Sequence, residues 1–201
     1  MIKIENLCKS YESQRIYHNF NLNINKGKII KLIGPNGIGK TTLFRCITDI
    51  ENYSGNITCN GKISYLFQED RLFPWLNIKQ NIFLPIRLIG KKPNKTDINN
   101  MNYFAKMMGI SKHLDKQINQ ISGGQKQKIL IIRTFITNPD IILLDEAFNS
   151  LDKKNHQLIH KKIINFCKKN KKTVILATHN DNIPLNLFDD IIDLNTNKIQ
   201  S

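Results

Sequence analysis

The chain has 201 residues, 40% apolar and 23% charged, enough for one sizeable core in a single globular domain spanning residues 1–201. No stretch approaches the roughly 18 unbroken apolar residues of a membrane span, and the N-terminal "MIKIENLCKS" lacks the apolar centre of a secretory signal. The reading is therefore a cytosolic protein whose membrane contacts would come through a partner. A formal net charge of +14 raises nucleic-acid binding, but lysine is spread along the whole chain together with excess asparagine and isoleucine. That pattern is a compositional bias, and no nucleic-acid partner is expected. Cys8, Cys46, Cys59 and Cys167 show no metal-ligand spacing and read as reduced thiols, a Cys8–Cys59 bridge being the one pairing left open.

Residues 1–25 and 54–63 carry short alternating patterns, with Asn60-Gly61 as a turn signal, which predicts hairpins in a small antiparallel sheet. "KIIKLIG" (28–34) is a buried strand running into a loop, followed by a helix over 40–50. Residues 78–119 contain no apolar strand and predict a helical insertion broken at Pro85, Pro93 and Gly109. With the helix expected around 126–136, this makes a helical subdomain over about 78–138. "IILLD" (141–145) and "TVILAT" (173–178) are continuous apolar runs, as in parallel strands covered on both faces. The fold class is α/β with a mainly parallel sheet, a small antiparallel β subdomain and a helical insertion.

"GPNGIGKTT" comprises Gly34, Pro35, Asn36, Gly37, Ile38, Gly39, Lys40, Thr41 and Thr42 and matches the phosphate-loop pattern G-x-x-x-x-G-K-[ST]. Its glycines let backbone N–H groups point inward, and the following helix offers its N-terminus to the same anion. Lys40 can reach the outer phosphates of a nucleotide, and the Thr41 hydroxyl can ligate Mg²⁺. Such a site also needs an acid for the metal shell and a group to activate water. Asp145 at a strand end suits the first role and Glu146 the second. His179, just past the 173–178 strand, reads on its own as a structural histidine more readily than as a catalytic one.

Together these segments resemble the ATP-binding cassette (ABC) family of P-loop ATPases, in the family's order and over most of the chain. "ISGGQ" (121–125) resembles the family signature, with Ile121 in the place of leucine. Gln68 in "YLFQED" fits the glutamine loop, residues 150–152 the loop after the catalytic glutamate, His179 the switch histidine, and Tyr11 the aromatic that stacks on adenine. The resemblance implies ATP and Mg²⁺ as cofactors, Gln68 joining Thr41 and Asp145 at the metal, and Lys40, Glu146 and His179 as catalytic groups. It also implies a pair of cassettes, expected to be a homodimer. Ser122, Gly123, Gly124 and Gln125 would then grip the ATP held by the partner's phosphate loop, which explains a second glycine-rich motif in one small chain.

"FQEDRLFPWLNIKQNI" (67–82) is similar to the glutamine-loop region of nitrate-, sulfonate- and taurine-type importer ATPases. By that resemblance the region from Gln68 to Trp75 faces a membrane permease, a solute-binding protein feeds it, and the chain sits on the cytoplasmic face of the membrane. Phe73 and Trp75 would be either partner-facing anchors or core of the helical insertion. Two other functions compete: a soluble cassette acting on nucleic acid or ribosomes, and an adaptor that binds ATP without hydrolysing it. The intact set of Lys40, Asp145, Glu146 and His179 speaks against the adaptor. Departures from the family pattern are Ala147 in a place common for proline, Ile38 in the phosphate loop, and "NDNIPLNLFDD" after the histidine.

Overall fold

The computed structural model describes residues 1–69, 71–148, 153–178, 183–196 and 198–200. Strands β1 (Ile2–Tyr11), β2 (Gln14–Ile24) and β4 (Ser54–Cys59) form an antiparallel sheet in the order β2-β1-β4. A second sheet has the order β5-β6-β7-β3-β8-β9, with β3 (Ile29–Ile33), β5 (Ile63–Leu66), β6 (Ile141–Asp145), β7 (Thr173–Ala177), β8 (Asp190–Asp193) and β9 (Lys198–Gln200). All neighbours in it are parallel except the β8–β9 pair. The expected α/β class with a small antiparallel subdomain is therefore the observed one.

The central strands β6 and β7 are buried from end to end because helices or the smaller sheet cover both faces. With side chains alternating along each strand, Ile142 and Leu144 enter one apolar cluster with the insertion helices, while Ile141 and Leu143 enter another with α1 (Lys40–Ile47) and the antiparallel sheet. Within the insertion, α2 (Ile78–Leu88), α3 (Lys95–Met108) and α4 (Gly123–Phe135) join the first cluster, as does α5 (Lys153–Lys169) through Ile159, Ile163 and Ile164.

Three local expectations are corrected. Asn60-Gly61 is not a hairpin tip: it carries the chain from β4 into β5, the edge strand of the other sheet. The Asp140 carboxylate accepts the Lys62 amide N–H at 3.0 Å and a Cβ at Gly61 would lie 2.7 Å from Asp140, so this turn is pinned to the start of β6. Pro85 does not break α2, which continues through it to Leu88. A proline there forfeits one helical hydrogen bond, and the burial of Ile82, Phe83 and Ile86 outweighs that loss. Finally, α4 starts at Gly123, earlier than periodicity alone predicts, because Ser122 caps it. Cys8 and Cys59 pair with Ser54 and Ile2 at different points along β1, and all four cysteines are free thiols.

Candidate active site

β3 ends at Ile33 and the chain turns through the phosphate loop into α1, whose N-cap Gly39 has a left-handed backbone and provides no side-chain cap. The first N–H groups of α1 thus remain available to an anion. Gly39 must be glycine: its φ is +115°, and a Cβ would lie 2.6 Å from Ile16 and 3.0 Å from the Tyr17 hydroxyl. That hydroxyl donates to the Gly39 carbonyl at 2.9 Å and ties the loop to β2. Tyr17 belongs to no motif, and its only sequence trace is an aromatic in an alternating strand.

The order of the parallel sheet sets β7 between β3 and β6, bringing the loop and the end of β6 to one edge. There the Thr41 hydroxyl donates to Asp145 Oδ2 at 2.8 Å, and the Tyr65 hydroxyl from β5 donates to the same oxygen at 3.0 Å. Asp145 is 1% exposed. Burial raises its carboxyl above the ordinary aspartate range, Thr41 and Tyr65 draw it back, and Glu146 and Lys40 act in opposite senses. Lys40, also buried, donates to the carbonyls of Gly34 at 2.7 Å and Pro35 at 3.0 Å. Burial lowers its ammonium below the usual lysine range, opposed by Glu146 and Asp145. Glu146 has a left-handed backbone (φ 52°), anchored by its N–H to the Ala177 carbonyl at 3.0 Å. A non-glycine residue there costs of order 1–2 kcal/mol and turns its side chain out of the strand's alternation.

A cavity of about 450 Å³ is lined by Asn36, Gly37 and residues 39–42 of the loop together with Gln68, Asp145 and Glu146. A hydroxyl and a carboxylate in hydrogen-bond contact, with an amide on the same cavity, are the hard oxygen donors that Mg²⁺ takes when substrate phosphates complete its shell. Thr41, Asp145 and Gln68 fit that ion.

Other expected residues lie apart from this cavity. Tyr11 stands at the turn end of β1, 39% exposed, with the Lys9 ammonium 4.5 Å from its ring centre, and it does not line the cavity. Ser122 and Gln125 form a reciprocal capping box: the Gln125 N–H donates to Ser122 Oγ at 3.3 Å and the Ser122 N–H to Gln125 Oε1 at 3.0 Å. A Cβ at Gly123 would meet nothing within 4 Å, so this end of α4 is open to an approaching group. The Gln127 side-chain amide donates to the Ala147 carbonyl, linking α4 to the end of β6. His179 and residues 150–152 lie outside the described residues. Phe73 and Trp75 are 36% and 71% exposed and meet edge to face, which removes the core alternative for the pair. Their turn is held by the buried Asn81, whose side chain accepts from the Phe73 N–H at 2.8 Å and donates to the Phe73 carbonyl at 3.0 Å.

The fold and the site define a P-loop nucleotide-binding protein, with loop lysine and threonine facing an acid pair at a neighbouring strand end. A family model described as "ABC transporter" matches residues 17–149, and the chain belongs to that family. It is 35% identical to the spermidine/putrescine import ATP-binding protein PotA of Fusobacterium nucleatum, over 98% of this chain and 56% of that protein. It is 31% identical to the phosphonates import ATP-binding protein PhnC of the same organism, over 99% of this chain and 90% of that one. The sulfate/thiosulfate import ATP-binding protein CysA of Neisseria meningitidis is 34% identical, over 99% of this chain and 60% of that protein. The chain thus spans little more than half the length of the PotA relative. Among solved structures, the dimeric bacterial ABC transporter cassette MJ0796 superposes with a TM-score of 0.85 at 27% identity, covering 96% of this chain and 94% of that one. The same cassette is also known as a dimer in a post-hydrolysis state bound to ADP and Pi, again with a TM-score of 0.85 and 27% identity. These three relatives are named as import ATP-binding proteins for spermidine/putrescine, phosphonates and sulfate/thiosulfate, and none of those names bears on the nitrate-, sulfonate- and taurine-type subtype.

Proposed function

We propose that this chain is the ATP-hydrolysing subunit of a membrane importer. The observation that carries the proposal is the convergence of Lys40, Thr41, Gln68, Asp145 and Glu146 on one cavity at the mouth of the phosphate loop. The helix α1 N-terminus and loop amides hold the phosphates, and Lys40 exchanges its loop carbonyls for the outer phosphate oxygens. Thr41, Asp145 and Gln68 would hold Mg²⁺, which when bound would neutralise charge on the outer phosphates. Glu146 accepts a proton from the attacking water as general base, and His179 assists at the γ-phosphate.

A second copy of the chain would present Ser122, Gly123, Gly124 and Gln125 to the γ-phosphate, and the dimeric state of the MJ0796 cassette supports that arrangement. Tyr11 would stack on adenine. Dimer closure on ATP and opening after hydrolysis then do the work on the permease. The permease would dock in the cavity of about 300 Å³ between the glutamine-loop segment and α2, whose apolar wall includes Phe73, Leu84 and Leu88 beside Arg71 and Arg133. Such a groove suits a short amphipathic helix, and the exposed Trp75 neighbours it in sequence. A solute-binding protein would deliver the cargo, and the subunit would lie on the cytoplasmic face of the membrane. The import names of the relatives support this reading. The soluble alternative, acting on nucleic acid or ribosomes, rests on the +14 charge alone.

The test is affinity purification of the tagged chain from detergent-solubilised membranes, with mass spectrometry of associated proteins. A co-purifying multi-span permease is the expected result. Recovery only in the soluble fraction with ribosomes or DNA would overturn the transport assignment.

A further inference from the structure

We propose that Tyr65 is a positioning residue that couples the proposed permease groove to the metal-holding carboxylate of Asp145. The inference rests on the ATPase reading of the site but not on the identity of any permease. Tyr65 pairs with Leu143 in the parallel β5–β6 register, so its side chain shares a sheet face with Leu143 and, one step further, with Asp145. Its hydroxyl and that of Thr41 both donate to Asp145 Oδ2, at 3.0 and 2.8 Å. Two donors on one oxygen restrain the orientation of the carboxylate that would hold the metal. Thr41 alone would hold that oxygen from one side only.

Tyr65 is also among the residues that line the groove. Tyr65, Phe67, Arg71 and Phe73 line it together with Leu84 and Leu88 of α2. The Tyr65 ring lies 4.1 Å from that of Phe67, the Arg71 guanidinium sits 3.9 Å above Phe67, and the Arg71 carbonyl accepts from Arg133 at 2.8 Å. On the other side Tyr65 meets Phe44 of α1 edge to face at 5.7 Å. A group entering the groove and pressing on Phe67 therefore moves a ring whose far end holds Asp145. By linkage, metal and nucleotide binding at Asp145 must in turn bias the groove.

The experiment uses the isolated chain with a non-hydrolysable ATP analogue, titrated with Mn²⁺ and followed by electron paramagnetic resonance. Tyr65→Phe keeps the ring and removes the hydroxyl. The expected result is about tenfold weaker Mn²⁺ binding, with analogue affinity in EDTA unchanged. Leu84→Trp fills the groove as a stand-in for an occupant. It should shift Mn²⁺ affinity in the parent chain, and the shift should collapse in the Tyr65→Phe background. Mn²⁺ binding within twofold of the parent in Tyr65→Phe, or an equal Leu84→Trp effect in both backgrounds, overturns the inference alone. A parent chain with no metal-dependent nucleotide binding overturns the ATPase reading and this inference with it.

Discussion

Replacing Gly39 by alanine puts the construction of the phosphate loop to a quantitative test. Its φ of +115° is a conformation L residues rarely adopt, which costs about 1–3 kcal/mol. The added Cβ would also lie 2.6 Å from Ile16 Cγ2 and 3.0 Å from the Tyr17 hydroxyl, so β2 or the loop must move. Overpacking of this kind costs about 1–3 kcal/mol more. A loss of about 3 kcal/mol lowers Tm by roughly 6–12 °C for a chain of this size. Gly37→Ala is the matched control: its φ of +79° is also left-handed, but a Cβ there meets nothing within 4 Å. It should cost only about 1 kcal/mol, or roughly 2–4 °C. Both values are read by circular dichroism melts of the nucleotide-free chain. Equal shifts for the two variants, or a Gly39→Ala shift below about 2 °C, would refute the argument that β2 fixes the loop.

Glu146→Gln should bind Mg·ATP at close to parental affinity but hydrolyse it about 100-fold or more slowly; unchanged turnover would remove Glu146 as the base. Asp145 has its folded pKa raised by burial, so the ionised carboxylate opposes folding above that pKa and the opposition is relieved as pH falls through it. Asp145→Asn should therefore raise Tm at neutral pH, the gain shrinking on acidification; a lower Tm at pH 7 contradicts this sign. Ser122→Ala removes a helix cap and should cost about 1 kcal/mol of stability, while a far larger loss of ATPase activity would mark its role toward the partner's nucleotide. Trp75→Ala, at a side chain 71% exposed, should leave Tm within about 1 °C of the parent yet abolish permease co-purification; retained co-purification would move the docking site elsewhere.

Elements whose cause is local are legible in adjacent residues. The glycine spacing of residues 34–41 needs no distant partner to make an anion-binding turn, and β6 and β7 each carry four consecutive apolar residues, 141–144 and 174–177, as strands buried on both faces require. The acid pair Asp145-Glu146 is legible for the same reason, since it ends such a run. The remainder depends on which strands become neighbours. The Thr41–Asp145 hydrogen bond joins residues 104 apart and exists because β7 separates β3 from β6 in one sheet. Tyr65 and Tyr17 gained their roles from pairing and packing that no short window contains. Asn60-Gly61, a hairpin signal by composition, became a crossing between sheets because Asp140 holds it, and Pro85 stayed inside α2 because the helix buries its apolar face. Trp75 shows the same limit from the surface side: its sequence suits core and interface alike, and only the packing around Asn81 turns it toward solvent. Local backbone chemistry is written in adjacent residues; which side chains meet across a sheet is decided by strand order and register.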